Sequence, residues 1–240
     1  MGLQKPDPLD ALAPLERALT AHQRGASRQM LLVHTDRDEL QRMPVALFFR
    51  EGARLRAADR RAIALCQGRV LDVGAGAGAI ALALQGEGFE VTALEVLPEA
   101  VQVMQGRGVL DARLADVRTF TPDQPYDTVL ALMNGTAPAG TLAGLAPWLA
   151  ALCAPCAEGG QLLVDSTDLR EPGRRATRDD GRYVGELQYQ LEYDGERGPP
   201  FLQLFVDPLR LRKAAKEVGL TSALVWRGAG GAYLSRLTRA

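Results

Sequence analysis

The sequence predicts an α/β fold, with a doubly wound and mostly parallel sheet that has helices on both faces. One observation is the regular alternation of short apolar runs with helical segments between residues 70 and 165. Strands that alternate with helices need crossover connections, which make neighbouring strands parallel. The other is "RVLDVGAGAGAIALAL", where an apolar run passes through glycines into an alanine- and leucine-rich helix. A chain of 240 residues suits one such domain with small additions.

Residues 1–56 are predicted to form a helical segment ahead of this domain. Leucines at helical spacing indicate a helix over residues 7–24. Farther along, "MPVALFFRE" contains Phe48 and Phe49, and we expect at least one of them in the core. That this segment is a mobile lid is a hypothesis, which hydrogen exchange with and without ligand would test. A helix over residues 57–66 then leads into the sheet.

The sheet is predicted from a series of strands and helices in chain order. The strands are expected at residues 70–73, 91–94, 112–114, 128–133 and 161–165, and the helices at 79–85, 98–105 and 141–152. Residues 182–206 alternate apolar and polar residues around a Gly-Glu-Arg-Gly centre, which predicts a β-hairpin insertion. Asp207 is expected to cap a last helix over residues 208–218. Apolar runs at 223–226 and 232–237 bring the sheet to seven strands, with an antiparallel C-terminal strand.

The composition favours a small-molecule partner. The 28 Lys and Arg residues balance 29 Asp and Glu residues, so neither a nucleic-acid-binding nor a membrane-binding surface is indicated. With three cysteines and two histidines, we expect neither a disulfide framework nor a metal site. Cys153 and Cys156 follow a predicted helix, whereas a reactive thiolate favours a helix N-terminus, so we interpret them as ordinary cysteines. We expect a monomer or a homodimer.

Two features bear on cellular location. Residues 128–157 contain no charged residue, and this run is long enough for a transmembrane helix. Glycines and prolines interrupt it, so a buried strand followed by a core helix is the better interpretation. The first residues lack the uninterrupted apolar stretch of an export signal, and we therefore expect a cytoplasmic protein.

The glycine-rich turn after the first strand of the sheet is the candidate ligand site. Gly74, Gly76 and Gly78 expose backbone at the carboxyl end of a strand, where open α/β sheets bind ligands. Residues 74–79 also match the dinucleotide pattern G-x-G-x-x-A, which leaves a nicotinamide or flavin cofactor open. Asp72 argues against it, because a carboxylate there repels phosphate and attracts an ammonium or sulfonium group.

Two more acidic residues follow the next strands. Glu95 is placed to accept both hydroxyls of a ribose, a role that suits either kind of cofactor. In "LADV", Asp116 could accept from an adenine amino group, and the N–H of Val117 could reach a ring nitrogen. Each acid also has a structural alternative: Asp72 could cap the loop or helix, Glu95 could be a surface acid, and Asp116 could shape a turn.

These segments resemble a known family. "VLDVGAGAGAIALAL", "VTALEVLPEAVQVM", "RLADVRTF" and "YDTVLALMNG" are similar to the ordered motifs of the class I S-adenosylmethionine-dependent methyltransferases. More narrowly, "MPVALFFRE", "LMNGTAPAGTLAGL" and "GPPFLQLFVDPLRLRKAAKEVGL" resemble a bacterial group of such enzymes without an assigned substrate. The resemblance implies a Rossmann-like methyltransferase domain over residues 57–240, S-adenosylmethionine as cofactor, and an oxygen or nitrogen of a small molecule as methyl acceptor.

The resemblance also implies site residues. The cofactor-binding set is Asp72, Gly74, Ala75, Gly76, Glu95, Val96, Asp116, Val117, Met133 and Asn134. Asn134 would lie beside the sulfonium and the acceptor as a catalytic candidate, although it could instead only shape a turn. If the acceptor must lose a proton, His34 is the first candidate for a general base, because the amino-terminal segment of such enzymes usually closes over the substrate. Tyr126, Tyr183 and Asp168 are the other candidates.

Two alternative functions remain at this point. A nicotinamide-dependent oxidoreductase would use the same glycines, but Asp72 and the late position of the motif in the chain disfavour it. The other alternative is a methyltransferase-like protein that binds the cofactor without turnover. It remains because Ala77, Ala79 and Ile80 leave the glycine-rich turn without a polar side chain.

Overall fold

The computed structural model describes residues 8–26, 28–37 and 40–240. The strands are β1 (Met30–Thr35), β2 (Gln41–Pro44), β3 (Val70–Val73), β4 (Val91–Glu95), β5 (Ala112–Leu114), β6 (Tyr126–Ala131), β7 (Cys156–Thr167), β8 (Glu186–Tyr193), β9 (Glu196–Arg197), β10 (Phe201–Leu204), β11 (Leu220–Arg227) and β12 (Ala232–Arg239). The α-helices are α1 (Ala13–Gln23), α2 (Ala57–Ile63), α3 (Ala79–Gly86), α4 (Pro98–Arg107), α5 (Leu142–Cys153) and α6 (Pro208–Glu217). Short 3-10 helices lie at Pro8–Leu12, Val45–Phe49, Gly52–Arg54, Ala137–Ala139 and Ala229–Gly231.

The main sheet has seven strands in the order β11-β12-β7-β6-β3-β4-β5. The strands from β7 to β5 are parallel, whereas β12 runs antiparallel to both β7 and β11. This confirms the predicted fold class, with its seven strands and antiparallel C-terminal strand. The carboxyl ends of β3, β4 and β6 therefore meet at one edge of the sheet, which is the place where this architecture binds ligands.

Local sequence signals explain where several elements begin and end. Thr141 caps α5 by accepting the N–H of Gly144, and the Asp207 carboxylate caps α6 by accepting two backbone N–H groups. Gly108 ends α4 in the left-handed conformation that glycine adopts without steric cost. The predicted helix over residues 7–24 is a 3-10 turn followed by α1, and its first residue, Asp7, lies outside the described residues.

A second sheet of five strands stands beside the first. Its order is β10-β8-β1-β2, with β9 paired to β8. The hairpin predicted over 182–206 is present, but its turn is at residues 194–195, because Tyr193 pairs with Glu196. Asp194 and Gly195 have φ values of 52° and 79°, which a tight two-residue hairpin requires.

The amino-terminal segment contributes more than its predicted helix. Strands β1 and β2 were not expected, and β1 lies between β8 and β2 in the second sheet. Hydrogen bonds between β1 and β8 thus join the segment 1–56 to the part of the chain predicted as the methyltransferase domain. The division of the chain at residue 56 stays a prediction.

Three groups of buried apolar side chains hold the layers together. The first lies between the main sheet and α5 and α6, and the second lies between that sheet and α2, α3 and α4. The third contains Leu19 of α1, Val33 of β1, Ala100 of α4 and Leu191 of β8, so α1 is packed between the second sheet and α4. Within the described part of the chain, no helix is both long and apolar enough to cross a membrane.

Candidate functional site

The glycine-rich turn joins β3 to α3 at the carboxyl edge of the main sheet. Gly74, Gly76 and Gly78 have φ values of 71°, 57° and 79°, in the left-handed region that other residues avoid. The backbone N–H groups of Gly74 and Ala75 donate to the carbonyl oxygen of Leu94, at 2.9 and 3.1 Å, and so tie the turn to β4. The turn therefore presents bare backbone from a fixed position.

Asp72, in β3, is buried directly beneath this turn, with an exposed fraction of 3%. Burial raises its pKa to about 7, and the nearby carboxylates of Asp59 and Glu95 act in the same direction. The backbone N–H of Ala81 in α3 lowers this pKa, but the carboxylate Oδ2 has no hydrogen-bond partner among the described residues. A buried carboxylate oxygen without a donor is costly, and a bound ammonium group would supply one.

Glu95 ends β4 and is also buried, so it is not a surface acid. Its Oε2 accepts the N–H of Gly76 at 2.9 Å, and its Oε1 accepts those of Val96 and Leu97 at 2.7 and 3.2 Å. Burial raises the pKa of this carboxyl, whereas the three N–H donors lower it. The structure thus brings Asp72, Gly76 and Glu95 together as the sequence predicted.

Asp116 and Val117 follow β5 at the same edge of the sheet. Val117 is buried in the core. Asp116 is partly exposed, and its carboxylate accepts the backbone N–H of Arg118 at 2.9 Å, which is the geometry of an Asx turn. The adenine-binding role of this pair stays a prediction.

Met133 and Asn134 form a strained turn after β6. Their φ values are 61° and 66°, which are uncommon for residues other than glycine. The Asp165 carboxylate of β7 holds this turn, because its Oδ1 accepts the N–H groups of Asn134 and Gly135 at 2.8 and 3.0 Å. The Met133 side chain is 37% exposed at this edge.

The Asn134 side chain is already bonded at both ends. Its Nδ2 donates to the carbonyl oxygen of Leu204 at 3.3 Å, and its Oδ1 accepts from the hydroxyls of Thr136 and Ser166 at 3.1 and 3.0 Å. These bonds connect β6, β7 and β10, as a turn-shaping residue would. A catalytic role for Asn134 stays a prediction.

The structure does not place His34 with the other predicted site residues. In β1 it points away from Leu31 and Val33, which face the core, because successive side chains of a strand alternate between its faces. Its Nε2 lies 2.8 Å from the Glu192 carboxylate, which also pairs with Arg197. The role of His34 as a general base stays a prediction.

The other candidate bases are also engaged elsewhere. Tyr126 begins β6, far from its carboxyl end, and its buried hydroxyl donates to Thr92. The Tyr183 hydroxyl donates to Asp207, and burial raises its pKa. The hydrogen bond from Arg170 lowers the pKa of Asp168, which makes Asp168 a weaker base.

A buried ionic cluster near Asp72 was missed by the sequence analysis. Arg56, at the start of α2, donates from Nε to both carboxylate oxygens of Asp59, at 2.9 and 3.0 Å. Its Nη1 lies 3.0 Å from Asp165, so Arg56 links α2 to the strand that holds the Asn134 turn. Asp165 ends the predicted strand 161–165, and an acidic residue at the carboxyl end of a strand is the sequence signal that could have indicated this cluster. The buried carboxylates near the glycine-rich turn are Asp59, Asp72, Glu95 and Asp165.

Residues 45–56, which we call the strap, lie next to the glycine-rich turn. A Cβ built on Gly76 would be 3.8 Å from Cδ1 of Phe48. Arg107 of α4 anchors the strap: its guanidinium lies 4.9 Å from the centre of the Phe49 ring and donates to Glu51 and to the carbonyl oxygen of Ala77. Phe48 and Phe49 both pack against the third apolar group.

Two open cavities lie at the carboxyl end of β7. One of about 400 Å³ is lined by residues that include Asp168, Arg170 and Arg227. The other, of about 580 Å³, is lined by residues that include Arg175 and Thr177. Volumes in this range suit small molecules.

Comparison with known proteins gives a consistent set of structural neighbours. No protein-family model matches the chain, and no curated protein matches it. A SAM-dependent methyltransferase from Bacteroides fragilis, solved in complex with S-adenosyl-L-homocysteine, is 32% identical, with a TM-score of 0.85 and coverage of 98% of each chain. SAM-bound CalS10 from Micromonospora echinaspora, an amino pentose methyltransferase involved in calicheamicin biosynthesis, is 25% identical, with a TM-score of 0.55 over 77% of this chain and 89% of that one. The CcbJ methyltransferase from Streptomyces caelestis, at 16% identity and a TM-score of 0.60 over 77% and 97% of the two chains, shares the fold.

Proposed function

Because the chain belongs to the class I S-adenosylmethionine-dependent methyltransferases, we propose that it transfers a methyl group to an oxygen or nitrogen atom of a small-molecule acceptor. The chain is an enzyme, and S-adenosylmethionine is its cofactor. Membership of this family argues against the nicotinamide-dependent oxidoreductase, and the methyltransferase activity of its neighbours argues against a binding protein without turnover. The similarity to an amino pentose methyltransferase supports a polar small molecule as acceptor.

The observation that carries the proposal is the unpaired Oδ2 of Asp72. The cofactor has an ammonium group in its methionyl part, and this buried carboxylate oxygen has no hydrogen-bond partner among the described residues. The same carboxylate would repel the phosphates of a dinucleotide. The residues present therefore fit this cofactor.

We assign each predicted binding residue to one part of the cofactor. Asp72 would accept from the ammonium group, while the backbone at Gly74, Ala75 and Gly76 would contact the methionyl part. Glu95 would bind the ribose hydroxyls, with the backbone of Val96 beside it. Asp116 and Val117 would contact the adenine, and Met133 and Asn134 would form the wall next to the acceptor.

The chain's own residues would act mainly by positioning the reactants. When bound, the cofactor supplies a methyl group on a sulfonium centre. The sulfur leaves as a neutral thioether, which is a good leaving group. The protein can promote attack on that group by holding the acceptor atom in line and by excluding water. Phe48 covers the glycine-rich turn from the strap, and the Asp165 carboxylate fixes the turn at Asn134. Both contacts favour a rigid, shielded site.

Calorimetric titration tests the cofactor site. Asp72→Ala and Glu95→Ala should each weaken binding of S-adenosylmethionine and S-adenosylhomocysteine by about tenfold or more, because each removes a buried charged acceptor. Glu158→Ala, which changes an exposed acid of β7, is the matched control. Unchanged affinity in both site variants would show that the cofactor binds elsewhere.

The acceptor is tested by product formation. The protein would be incubated with S-adenosylmethionine and a panel of amino sugars, polyols and phenols, and release of S-adenosylhomocysteine would be followed by mass spectrometry. Acceptor-dependent release with a mass gain of one methyl group supports the proposal. If the panel instead yields methylated carbon atoms, the proposed oxygen or nitrogen acceptor is wrong.

A further inference from the structure

The smaller of the two cavities at the carboxyl end of β7 is rich in arginine. We call this space of about 400 Å³ the β7 cavity. Its lining includes three arginines, Arg37, Arg170 and Arg227, and two acids, Asp168 and Glu171. These five residues lie outside the predicted cofactor-binding set. The β7 cavity is therefore a second candidate ligand site at the same edge of the main sheet.

Both acids of the β7 cavity are already bound by arginines. Arg170 binds the Asp168 carboxylate through two contacts, from Nε to Oδ1 at 2.9 Å and from Nη2 to Oδ2 at 2.8 Å. The Glu171 carboxylate lies 3.0 Å from the Nε of Arg174 and 3.4 Å from the Nη2 of Arg37. The negative charges at the cavity are thus neutralised by neighbouring guanidinium groups.

Arg227 is the cation that this pairing leaves over. It is an exposed residue at the end of β11, and its side chain forms no ion pair or hydrogen bond with the described residues. Its charge acts on the cavity, because it helps to lower the pKa of Asp168, after the larger effect of the hydrogen bond from Arg170. The guanidinium N–H donors of Arg227 therefore stay available to an acceptor from outside the chain.

The β7 cavity lies within reach of the turn where methyl transfer is proposed. Both places are reached along β7, since Asp165 holds the turn at Asn134 and Asp168 lines the cavity. Three residues of extended chain span about 10 Å, which is within the length of a small organic molecule. The adjoining cavity of about 580 Å³ shares Leu169 and Glu171 with the β7 cavity and gives room beside it. One acceptor can thus present its reactive atom at the turn and its far end to Arg227.

We propose that the β7 cavity binds an acidic group, a carboxylate or a phosphate, at the far end of the methyl acceptor, and that Arg227 donates to it. A planar guanidinium pairs with either group through two parallel hydrogen bonds. This inference rests on the proposed function and narrows its acceptor from a polar small molecule to an acidic one. Arg227 is then a specificity residue, because it contacts the acceptor away from the atom that receives the methyl group.

Titration with three aromatic probes tests this assignment. Benzoate, phenyl phosphate and benzyl alcohol share a ring and differ in charge, and each would be titrated by NMR into protein saturated with S-adenosylhomocysteine. At least one of the anions should bind about fivefold or more tightly than the alcohol, as expected for an exposed charged hydrogen bond. The tighter anion identifies the acidic group as a carboxylate or a phosphate.

Two arginine variants locate the binding. Arg227→Gln should lose the preference for the anion, because glutamine keeps a donor but has no charge, while its affinity for S-adenosylhomocysteine should change less than about twofold. Arg236→Gln is the matched control and should keep the preference. Arg236 is also an exposed arginine, and it lies four residues into β12 from Ala232, which lines the cavity.

The outcomes separate this inference from the proposed function. If the unaltered protein binds neither S-adenosylmethionine nor S-adenosylhomocysteine, the proposed function fails. If the cofactor binds but neither anion binds more tightly than the alcohol, or if Arg227→Gln keeps the preference, the acidic acceptor is overturned while the function stands. Should Arg227→Gln fail to fold, Arg227→Lys replaces it. This variant keeps the charge without the planar fork, so it should show a smaller preference than the unaltered protein, and an unchanged preference would overturn the assignment.

Discussion

Asp72 is a residue at which binding and stability oppose each other. Folding buries this carboxyl, next to Asp59 and Glu95 and close to the thiol of Cys66, and burial raises its pKa to about 7. In the unfolded chain an aspartate has a pKa of about 3.9. The free protein therefore bears an electrostatic cost at neutral pH that a cationic ligand would relieve.

We expect Asp72→Asn to stabilise the ligand-free protein more strongly as pH rises. Between about pH 4 and pH 7 the folded form of the unaltered protein keeps the Asp72 proton while the unfolded form loses it, so its stability falls by about 1.4 kcal/mol per pH unit from this group. Asparagine removes the titration. Urea unfolding at pH 4.5, 6 and 7.5 should show a difference between the two proteins that grows with pH. A difference independent of pH would contradict the raised pKa.

Cofactor affinity should depend on the same proton. A neutral Asp72 is a poor partner for an ammonium group, so affinity for S-adenosylhomocysteine should fall below pH 7, by up to about tenfold per pH unit. At pH 6, titrations in buffers of different ionisation enthalpy should reveal proton release on binding. Asp72→Asn should bind weakly with a flat profile over pH 5.5–7. Proton release that persists in this variant would assign the titration to another group.

Among the elements, α3 and α4 show how a glycine can be required by packing as well as by conformation. Gly78 is the N-cap of α3, and a Cβ added there would be 2.7 Å from Cγ2 of Val109 and 3.0 Å from Cγ of Met104. Gly88, just after α3, has a similar positive φ but open space around it. The two glycines form a natural matched pair.

We expect Gly78→Ala to destabilise the protein by about 1–3 kcal/mol more than Gly88→Ala. Both variants bear the cost of a left-handed alanine, so the difference isolates the overlap with α4 and the chain that follows it. Denaturant unfolding of the two variants measures it. Equal losses would mean that Val109 and Met104 move aside freely.

The elements of the main sheet could be predicted because their signals are local. The strand at Val70–Val73 is mostly apolar and is followed directly by Gly74, and its predicted and observed ends coincide. Strand β7 starts at Cys156, ahead of its prediction, because its first residues have the mixed polarity of a loop. Strands β1 and β2 were not predicted, since their pairing depends on β8, far away in the chain.

At the scale of the whole molecule, part of the site follows from the sheet order and part from tertiary packing that the sequence does not encode. Asp72, Gly76 and Glu95 lie on consecutive elements of a repeating pattern, so their proximity followed from the sheet order. Arg50 and Arg56 contact Asp59 and Asp165 through tertiary packing of the strap and α2, and no periodicity encodes that. The face of β1 to which His34 belongs depends on a second sheet that was not expected, so the sequence could not predict its pairing with Glu192.

The strap should become more protected when the cofactor binds. Phe48 lies next to the glycine-rich turn, so ligand binding should restrict opening of residues 45–56. Hydrogen exchange with and without S-adenosylhomocysteine should show slower exchange there, while β11, at the far edge of the main sheet, stays unchanged. Identical exchange of the strap in both states would rule out the lid hypothesis.

The second sheet has a consequence for how the protein is made. Strand β1 leaves the ribosome early, but its partner β8 follows only after most of the main sheet has been synthesised, and His34 and Glu192 are 158 residues apart. Closing so long a loop is a slow step of folding. The second sheet is therefore completed only after β8 has been synthesised, so the amino-terminal segment waits for its partner strand while the parallel strands of the main sheet already follow one another from the ribosome.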